Sequence, residues 1–111
     1  MKRKFRLTRS MEIQRVRRLG SSYAHPLLVL LALRSEGPVT RIGVIAGKNV
    51  GGAVQRNRAK RLLREAFRKV YPTLVQGYDL LIIARKPLPG SNFLDLQEAI
   101  DQLLHRAELI S

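Results

Sequence analysis

The amino-acid sequence predicts one domain of the α+β or α/β class, a sandwich in which helices cover one β-sheet. Nearly continuous apolar runs at residues 27–34 and 78–84 have the length of buried strands. Stretches at 53–71 and 92–109 instead repeat their apolar residues at helical spacing. The 111 residues are enough for one hydrophobic core and too few for two, so we expect a single domain over residues 1–111.

The predicted elements follow one another without a repeat, a low-complexity segment or a linker. In chain order the first elements are a basic arm (1–9), a helix with Ser10 as its N-cap and Gly20 as its stop, an extended segment (22–25), and strands at 27–34 and 39–47. A long helix (53–71), a strand (78–84) and a last helix follow. The last helix is capped by Ser91 or Asn92 and reaches about Leu109. The turn signal Glu36-Gly37-Pro38 predicts that the strands on either side of it pair as a hairpin.

The positive charge of the chain is large and unevenly distributed. There are 21 Lys and Arg against 8 Asp and Glu, which gives a net charge of +13. Residues 1–71 contain eighteen of the basic and three of the acidic side chains, whereas residues 72–111 contain three basic and five acidic ones. A surplus of this size indicates a polyanionic partner, because each neutralised phosphate releases condensed counterions. Its uneven distribution indicates a binding face.

The long helix separates apolar from basic residues when they are placed at about 100° intervals. Its apolar stripe consists of Ala59, Leu62, Leu63, Ala66, Phe67 and Val70. The opposite face contains Asn57, Arg61, Arg64 and Arg68, with Arg58 and Lys69 on one flank and Lys60 on the other. A helix selected only for solubility would mix signs, because like charges three or four residues apart repel. We therefore predict a face that binds RNA or DNA through the guanidinium forks.

Two further basic features extend this prediction. Arg56 falls at the edge of the apolar stripe and is expected to reach towards Gly51-Gly52, where backbone N–H groups can approach a phosphate. Gly47-Lys48 lacks the spacing and the Ser or Thr of a nucleotide-hydrolysing P-loop. The arm and the first helix form a second basic cluster of Lys2, Arg3, Lys4, Arg6, Arg9, Arg15, Arg17 and Arg18. Two clusters predict two nucleic-acid contacts, with a disordered solubility arm as the alternative for residues 1–6.

No catalytic constellation is predicted from the titratable residues. His25 and His105 are far apart and have no neighbouring nucleophile. Asp95, Glu98 and Asp101 are interpreted as the wet face of the last helix, with a hydrated cation as the alternative. The absence of cysteine suits a reducing cytosol, and the longest apolar run is a third of a membrane span. We expect a soluble, cytoplasmic binding protein with no membrane contact.

The thirteen residues 53–65, Ala-Val-Gln-Arg-Asn-Arg-Ala-Lys-Arg-Leu-Leu-Arg-Glu, resemble the RNR signature of the protein subunit of bacterial ribonuclease P. That ribonucleoprotein removes 5′ leaders from precursor tRNAs. The start Arg6-Leu7, the early helix ending in Gly20, the segment 43–51 and the strand residues 82–85 lie where the family has them. The resemblance implies a two-layer sandwich of αβββαβα order, with three helices, a four-stranded sheet and a left-handed βαβ crossover through the arginine-rich helix.

The resemblance also implies a division of labour between protein and RNA. The protein would bind the catalytic RNA subunit and the 5′ leader of precursor tRNA and so assist endonucleolytic removal of the leader, as the non-catalytic subunit of an endoribonuclease. The chemistry would come from Mg²⁺ ions held by the RNA, and the protein itself would bind no cofactor or metal. No obligate protein partner is evident in the sequence.

Particular residues acquire roles from the same resemblance. RNA contacts are implied for Lys48, Arg56, Asn57, Arg58, Lys60, Arg61 and Arg64, to which the charged face adds Arg68. A leader-binding cleft between the first helix and the sheet is implied for Ile13, Arg17, Tyr23, Leu28 and Leu31. Many relatives have aromatic residues at four of these cleft positions, so phosphate contact from Arg17 is expected to replace part of the base stacking. Gly52 stands where the family usually has Asn, near a metal site of relatives, so we predict no metal site here.

Two other functions remain open from the sequence. A ribosomal or other structural RNA-binding protein of similar fold would have the same small size and a pI near 11.5. The RNA that co-purifies with the protein would distinguish this function from that of a ribonuclease P subunit. A self-sufficient nuclease would cleave RNA without an RNA subunit.

Overall fold

The computed structural model describes residues 2–110, so Met1 of the predicted arm lies outside the described residues. Its helices and strands are α1 (Ser10–Leu19), β1 (Ser21–Ala24), β2 (Leu28–Arg34), β3 (Arg41–Ile45), α2 (Ala53–Val70), β4 (Tyr78–Ala84) and α3 (Phe93–Arg106). Short 3-10 turns lie at 3–5, 48–50, 71–73 and 88–90. The αβββαβα order and the mixed four-stranded sheet of an α+β fold are confirmed.

The order of the strands across the sheet, β1-β2-β4-β3, differs from their order in the chain. β2 pairs antiparallel with β1 and β4, and β3 pairs in parallel with β4 through the α2 crossover. The predicted hairpin between strands 27–34 and 39–47 is therefore wrong, because β4 lies between β2 and β3. The tight turn joins β1 to β2 instead, where His25 and Leu28 exchange backbone hydrogen bonds of 2.9 and 3.2 Å. Most of β4 is buried, because helices pack on both faces of the sheet at this central strand.

Helices pack on both faces of the sheet. α2 and α3 cover one face, on which Leu30, Leu80 and Ile82 are fully buried. α1 covers part of the other face, where Val16 packs with Leu31 and Leu81. Because side chains alternate along a strand, β2 and β4 contribute to both hydrophobic clusters. The predicted sandwich of helices on a sheet is present, and α1 adds a partial layer on the second face.

The last helix begins with a side-chain cap, as the sequence predicts. Asn92 occupies the N-cap position, and its Oδ1 accepts a hydrogen bond of 2.8 Å from the Asp95 N–H. This contact selects Asn92 over Ser91. α3 ends at Arg106, earlier than the predicted end near Leu109, although Leu109 is itself buried.

The other two helices depart slightly from prediction at one end. Ser10 is the first residue of α1, and Arg9 occupies the N-cap position without a side-chain hydrogen bond, so the predicted Ser10 cap is wrong. α2 ends at Val70, one residue early, because the chain continues into a 3-10 turn that contains Pro72. Proline cannot donate the backbone hydrogen bond that would extend the helix.

The N-terminal arm is held against the edge of the sheet. Arg6 forms a parallel bridge with Ile42, and the Leu7 N–H donates to the Ile42 carbonyl at 2.9 Å. Leu7 is 2% exposed and belongs to the cluster under α1. A Cβ atom at Gly43 would lie 2.7 Å from the Leu7 carbonyl oxygen, so the arm can dock only because Gly43 has no side chain. The arm therefore covers the exposed edge of β3.

An ion network that the sequence did not reveal fastens α1 to the sheet. Arg41 on β3 donates to both carboxylate oxygens of Asp79 on β4, at 3.0 and 2.9 Å. Its Nη2 also donates to Glu12 on α1 at 2.8 Å. The hydrogen bond to Asp79, followed by the one to Glu12, raises the pKa of Arg41 above its usual value. Asp79 is a buried carboxylate, and Arg41 supplies the charge that compensates it.

We expect Arg41→Ala to lower the free energy of unfolding by about 1–3 kcal/mol, because it leaves the buried Asp79 carboxylate without its charged partner. Urea denaturation followed by circular dichroism measures the change. Arg18→Ala, which removes an exposed arginine from α1, is the control and should change stability by less than about 0.5 kcal/mol. Equal stability of the Arg41→Ala and unmodified proteins would contradict the network as a tie between α1 and the sheet.

Candidate nucleic-acid interface

The outer face of α2 presents a line of four polar side chains, which we call the α2 strip. These residues are all exposed, and they are Asn57, Arg61, Arg64 and Arg68. On the opposite side of the helix Ala59, Leu63, Ala66 and Phe67 are buried, and Leu62 and Val70 are partly buried. The predicted division of α2 into two faces is confirmed. The strip extends about 16 Å along the helix, at about 1.5 Å per residue.

The charge of the strip is partly compensated at one end. Glu65 accepts a hydrogen bond of 2.6 Å from Arg68, and both side chains are exposed. A surface ion pair of this kind contributes little to stability and is easily exchanged for a phosphate contact. The guanidinium groups of Arg61 and Arg64 are exposed alongside it. Three arginines at spacings of three and four therefore lie on one rigid support.

The flanks of the strip include one side chain that also supports the fold. The Nε of Arg58 donates to the Pro89 carbonyl at 2.9 Å, which ties α2 to the 3-10 turn at 88–90. Lys60, on the other flank, is partly buried. The structure thus places both predicted RNA-contact residues beside the strip, and it gives Arg58 a structural contact that the sequence did not predict.

The glycine-rich entrance to α2 contains one glycine that the backbone requires. Gly51 has φ = +140°, a conformation that other residues rarely adopt, and a Cβ there would lie 3.0 Å from Gln55. Gly52, the N-cap residue, has φ = −73°, and a Cβ atom there would meet no other atom within 4 Å. The N-terminus of α2 consequently has no side-chain cap and is exposed at Gly52. Lys48 is exposed nearby in sequence, and Arg56, in the first turn, is partly buried.

The second basic cluster lies on the other side of the sheet. Arg9, Arg15, Arg17 and Arg18 are exposed on or next to α1, which packs opposite to α2. The arm connects the two sides around the β3 edge. Arg6 from the arm, Ile13 from α1 and Arg64 from α2 line one cleft of about 240 Å³. The two clusters predicted from the sequence therefore meet at this edge.

The predicted leader-binding cleft combines residues from opposite faces of the sheet. Ile13 and Leu31 lie on the α1 side, and Arg17 is exposed on α1. Leu28 is fully buried in the core under α2 and α3, and Tyr23 packs against that same core. Leu28 and Tyr23 are therefore wrong as members of this cleft. The physical reason is alternation, since residues an odd number apart on a strand, such as 28 and 31, point to opposite faces.

Four apolar side chains that the sequence did not assign to this cleft lie on the α1 side of the sheet. On the α1 side of the sheet Val29, Leu33, Ile45 and Ile83 are partly buried beside Ile13. The sequence reasoning missed them, although the period of two that includes Leu31 could have identified Val29 and Leu33. The other two required knowledge of the strand order, which brings β3 and β4 next to each other.

The two histidines have local contacts. The His25 Nδ1 accepts a hydrogen bond of 3.1 Å from the Leu27 N–H in the β1–β2 turn. The His105 Nε2 lies 3.6 Å from an Asp101 carboxylate oxygen on the exposed side of α3. Within residues 2–110 no three His, Cys, Asp or Glu side chains are grouped closely enough to hold a metal ion. None of the described helices is long and apolar enough to cross a membrane.

These features define a class of protein. A hydrophobic core supports a helix whose guanidinium groups face outward, and a basic arm lies along the edge of the sheet. The fold and the surface are those of a nucleic-acid-binding domain.

The chain belongs to the ribonuclease P protein family. A model of that family, described as ribonuclease P, matches residues 1–108. The chain is 41% identical over 111 residues to the ribonuclease P protein component of Roseiflexus castenholzii, covering 99% of this chain and 91% of the relative. It is 40% identical over 111 residues to that of Chloroflexus aurantiacus, covering 99% and 82%.

Solved structures agree with this assignment. The ribonuclease P protein of Staphylococcus aureus superposes with a TM-score of 0.84 at 30% identity, covering 96% of this chain and 98% of that one. The Thermotoga maritima protein superposes with a TM-score of 0.81 at 28% identity, covering 91% and 96%. The expected family and fold are confirmed.

Replacing Arg61, Arg64 and Arg68 together by Ala should weaken RNA binding and flatten its salt dependence. Each lost phosphate contact lowers the slope of log affinity against log salt by about 0.7–0.9. Filter binding over a series of salt concentrations measures the slope. The control variant removes three exposed arginines elsewhere, Arg34, Arg85 and Arg106. An unchanged slope in the α2 variant would exclude α2 as the main RNA contact.

Proposed function

We propose that the α2 strip binds the RNA subunit of ribonuclease P and that the α1 side of the sheet receives the 5′ leader of precursor tRNA. Membership of the ribonuclease P protein family makes the chain a protein component of this tRNA-processing endoribonuclease. The observation that carries the residue-level proposal is the exposed arginine line on a helix whose other face is locked in the core. We also propose that the protein acts in the cytoplasm.

The α2 strip suits the backbone of a folded RNA. Arginine presents a planar fork that can contact two phosphate oxygens at once, and three such forks follow one helical line. Asn57 and Lys60 add neutral and charged donors next to them, and Lys48 and Arg56 extend the positive surface towards the helix N-terminus. A phosphate near that terminus would also be favoured by the helix dipole.

The α1 side of the sheet suits a single-stranded segment. Its floor is apolar, formed by partly buried Val29 and Ile83 next to Ile13. Exposed arginines on α1, among them Arg17, provide positive charge for the phosphates of that segment. Since the floor is aliphatic, leader bases would make apolar contacts there and phosphates would contact arginine. Such contacts would bind leaders of different sequences and would not select one particular sequence.

In this proposal the RNA subunit supplies the cleavage chemistry, with Mg²⁺ ions held by the RNA. The protein contributes by bringing together two polyanions that repel each other. Its net charge of +13 lowers that repulsion, which ions must otherwise screen. The protein should therefore matter most when Mg²⁺ is scarce.

We expect the protein to raise the rate of precursor-tRNA cleavage by its RNA subunit at low Mg²⁺ and to have a smaller effect at high Mg²⁺, where ions replace its charge. Single-turnover cleavage with and without the protein measures both rates. The protein without RNA, incubated with Mg²⁺, is the control and should leave the substrate intact.

The triple variant lacking Arg61, Arg64 and Arg68 should lose most of the stimulation. No stimulation by the unmodified protein at any Mg²⁺ concentration would contradict the proposed function. Co-purification with ribosomal RNA in place of one catalytic RNA would then favour a structural RNA-binding role. Cleavage by the RNA-free protein would instead indicate a self-sufficient nuclease.

A further inference from the structure

The N-terminal arm brings an aromatic ring to the end of α2. Phe5 and Tyr71 face each other with ring centroids 4.8 Å apart and planes inclined at 37°. The chain contains six Phe and Tyr residues and no Trp, so this pair is a third of its aromatic residues. Both rings are partly exposed. The sequence reasoning assigned a role to neither.

Both rings are held in place by contacts with β3 and with Thr40, which lies just before it. The bridge between Arg6 and Ile42 fixes the arm one residue after Phe5. The Tyr71 hydroxyl donates to the Thr40 carbonyl at 2.6 Å. Burial raises the pKa of Tyr71 above its usual value, with the hydrogen bond to Gln76 acting in the opposite direction, so the hydroxyl remains a donor at neutral pH. The pair is therefore preorganised, and a ligand would not have to order it.

The surroundings of the pair are apolar at the centre and basic at the rim. Phe5, Tyr71 and Pro72 line an open depression of about 530 Å³, together with Lys2 and Arg68. The Lys4 Nζ lies 5.1 Å from the centre of the Phe5 ring. Among the described residues that line this depression none is acidic, and Glu65 contacts Arg68 without lining it.

The position of the pair continues the α2 strip. The strip residues are spaced four, three and four apart, and Tyr71 follows Arg68 after three more. Residues at these spacings lie on one side of a helix, and the turn at 71–73 leaves α2 without a break. An RNA strand bound along the strip would therefore reach the two rings without changing direction.

We propose that Phe5 and Tyr71 form a stacking platform for one unpaired base of the RNA that lies along α2, with Lys2, Lys4 and Arg68 contacting the flanking phosphates. The proposal rests on the proposed function in so far as the strip must bind RNA. Partly exposed aromatic rings with a cationic rim match a single-stranded nucleotide, which has a planar base and a charged backbone. An apolar protein surface would gain nothing from the lysines at the rim.

The test replaces the ring of Phe5 and keeps its apolar bulk and the charge of the protein. Phe5→Leu in the full chain should bind a single-stranded RNA that contains 2-aminopurine about tenfold more weakly, because leucine offers no aromatic face on which the base can stack. The change in 2-aminopurine fluorescence that stacking produces should be lost. The salt slope should stay the same, because no charge has been removed.

The matched control is Phe93→Leu. Phe93 is also a partly exposed ring with a lysine over it, since the Lys69 Nζ lies 5.2 Å from its centre, but it lies at the start of α3. This variant should bind like the unmodified protein. Thermal unfolding of each variant checks the fold. Tyr71→Phe keeps the ring and loses the hydroxyl contact with Thr40, so it should retain the fluorescence change even if it unfolds at a lower temperature.

Two binding measurements identify which RNA supplies the base. Weaker binding of Phe5→Leu to the RNA subunit alone assigns it to that RNA. Weaker binding to precursor tRNA, but not to the same tRNA without a leader, assigns it to the leader. Unchanged affinity and fluorescence in all measurements would overturn the platform and leave the pair as a clasp for the arm. A failure of the proposed function would differ, because the unmodified protein would then not stimulate cleavage.

Discussion

Burial of the apolar stripe of α2 against the sheet is the interaction on which the rest of the molecule depends. α2 contains seven basic side chains and one acidic one, and each like-charged pair on a helix costs a few tenths of a kcal/mol. Fully burying a side chain such as Leu63 or Phe67 contributes about 1.5–3 kcal/mol, so the apolar face outweighs the repulsion. The helix can therefore hold a concentration of positive charge that would not fold by itself. The same burial closes the crossover that allows β3 and β4 to pair in parallel.

The edge of β3 is the second place where fold and function are linked. An uncovered edge strand invites pairing with another chain, and here the arm occupies it through Arg6 and Leu7. Docking of the arm requires the missing side chain of Gly43. It brings arm lysines and Phe5 close to the C-terminal end of α2 and joins the basic surfaces on the two sides of the sheet. One backbone contact thus arranges charge that is far apart in the sequence.

Local sequence patterns were sufficient to predict the structural features that local interactions determine. The strand at 78–84 and the two faces of α2 were predicted correctly, because periodicity reflects burial directly. The predicted hairpin was wrong because a turn signal does not specify which strands pair. In the structure β4 lies between β2 and β3 and pairs with both. Tyr23 and Leu28 were assigned to the wrong face of the sheet. The face that a side chain occupies follows from the register between paired strands, and a single segment of sequence does not determine that register. The network of Glu12, Arg41 and Asp79 joins residues that are far apart in the chain and left no local signal.

By itself the sequence determined the α+β class, the amphipathic α2 with its arginine line, and a motif specific enough to indicate the ribonuclease P family. These follow from composition and spacing within about twenty residues, over which chain geometry is regular. The tertiary structure decided which strands are neighbours, which face of the sheet each side chain reaches, and that the arm returns to Tyr71 at the end of the strip. Those outcomes depend on contacts between residues that are distant in the sequence. Such contacts stabilise the protein only when the core is assembled, so no single segment of the chain determines them.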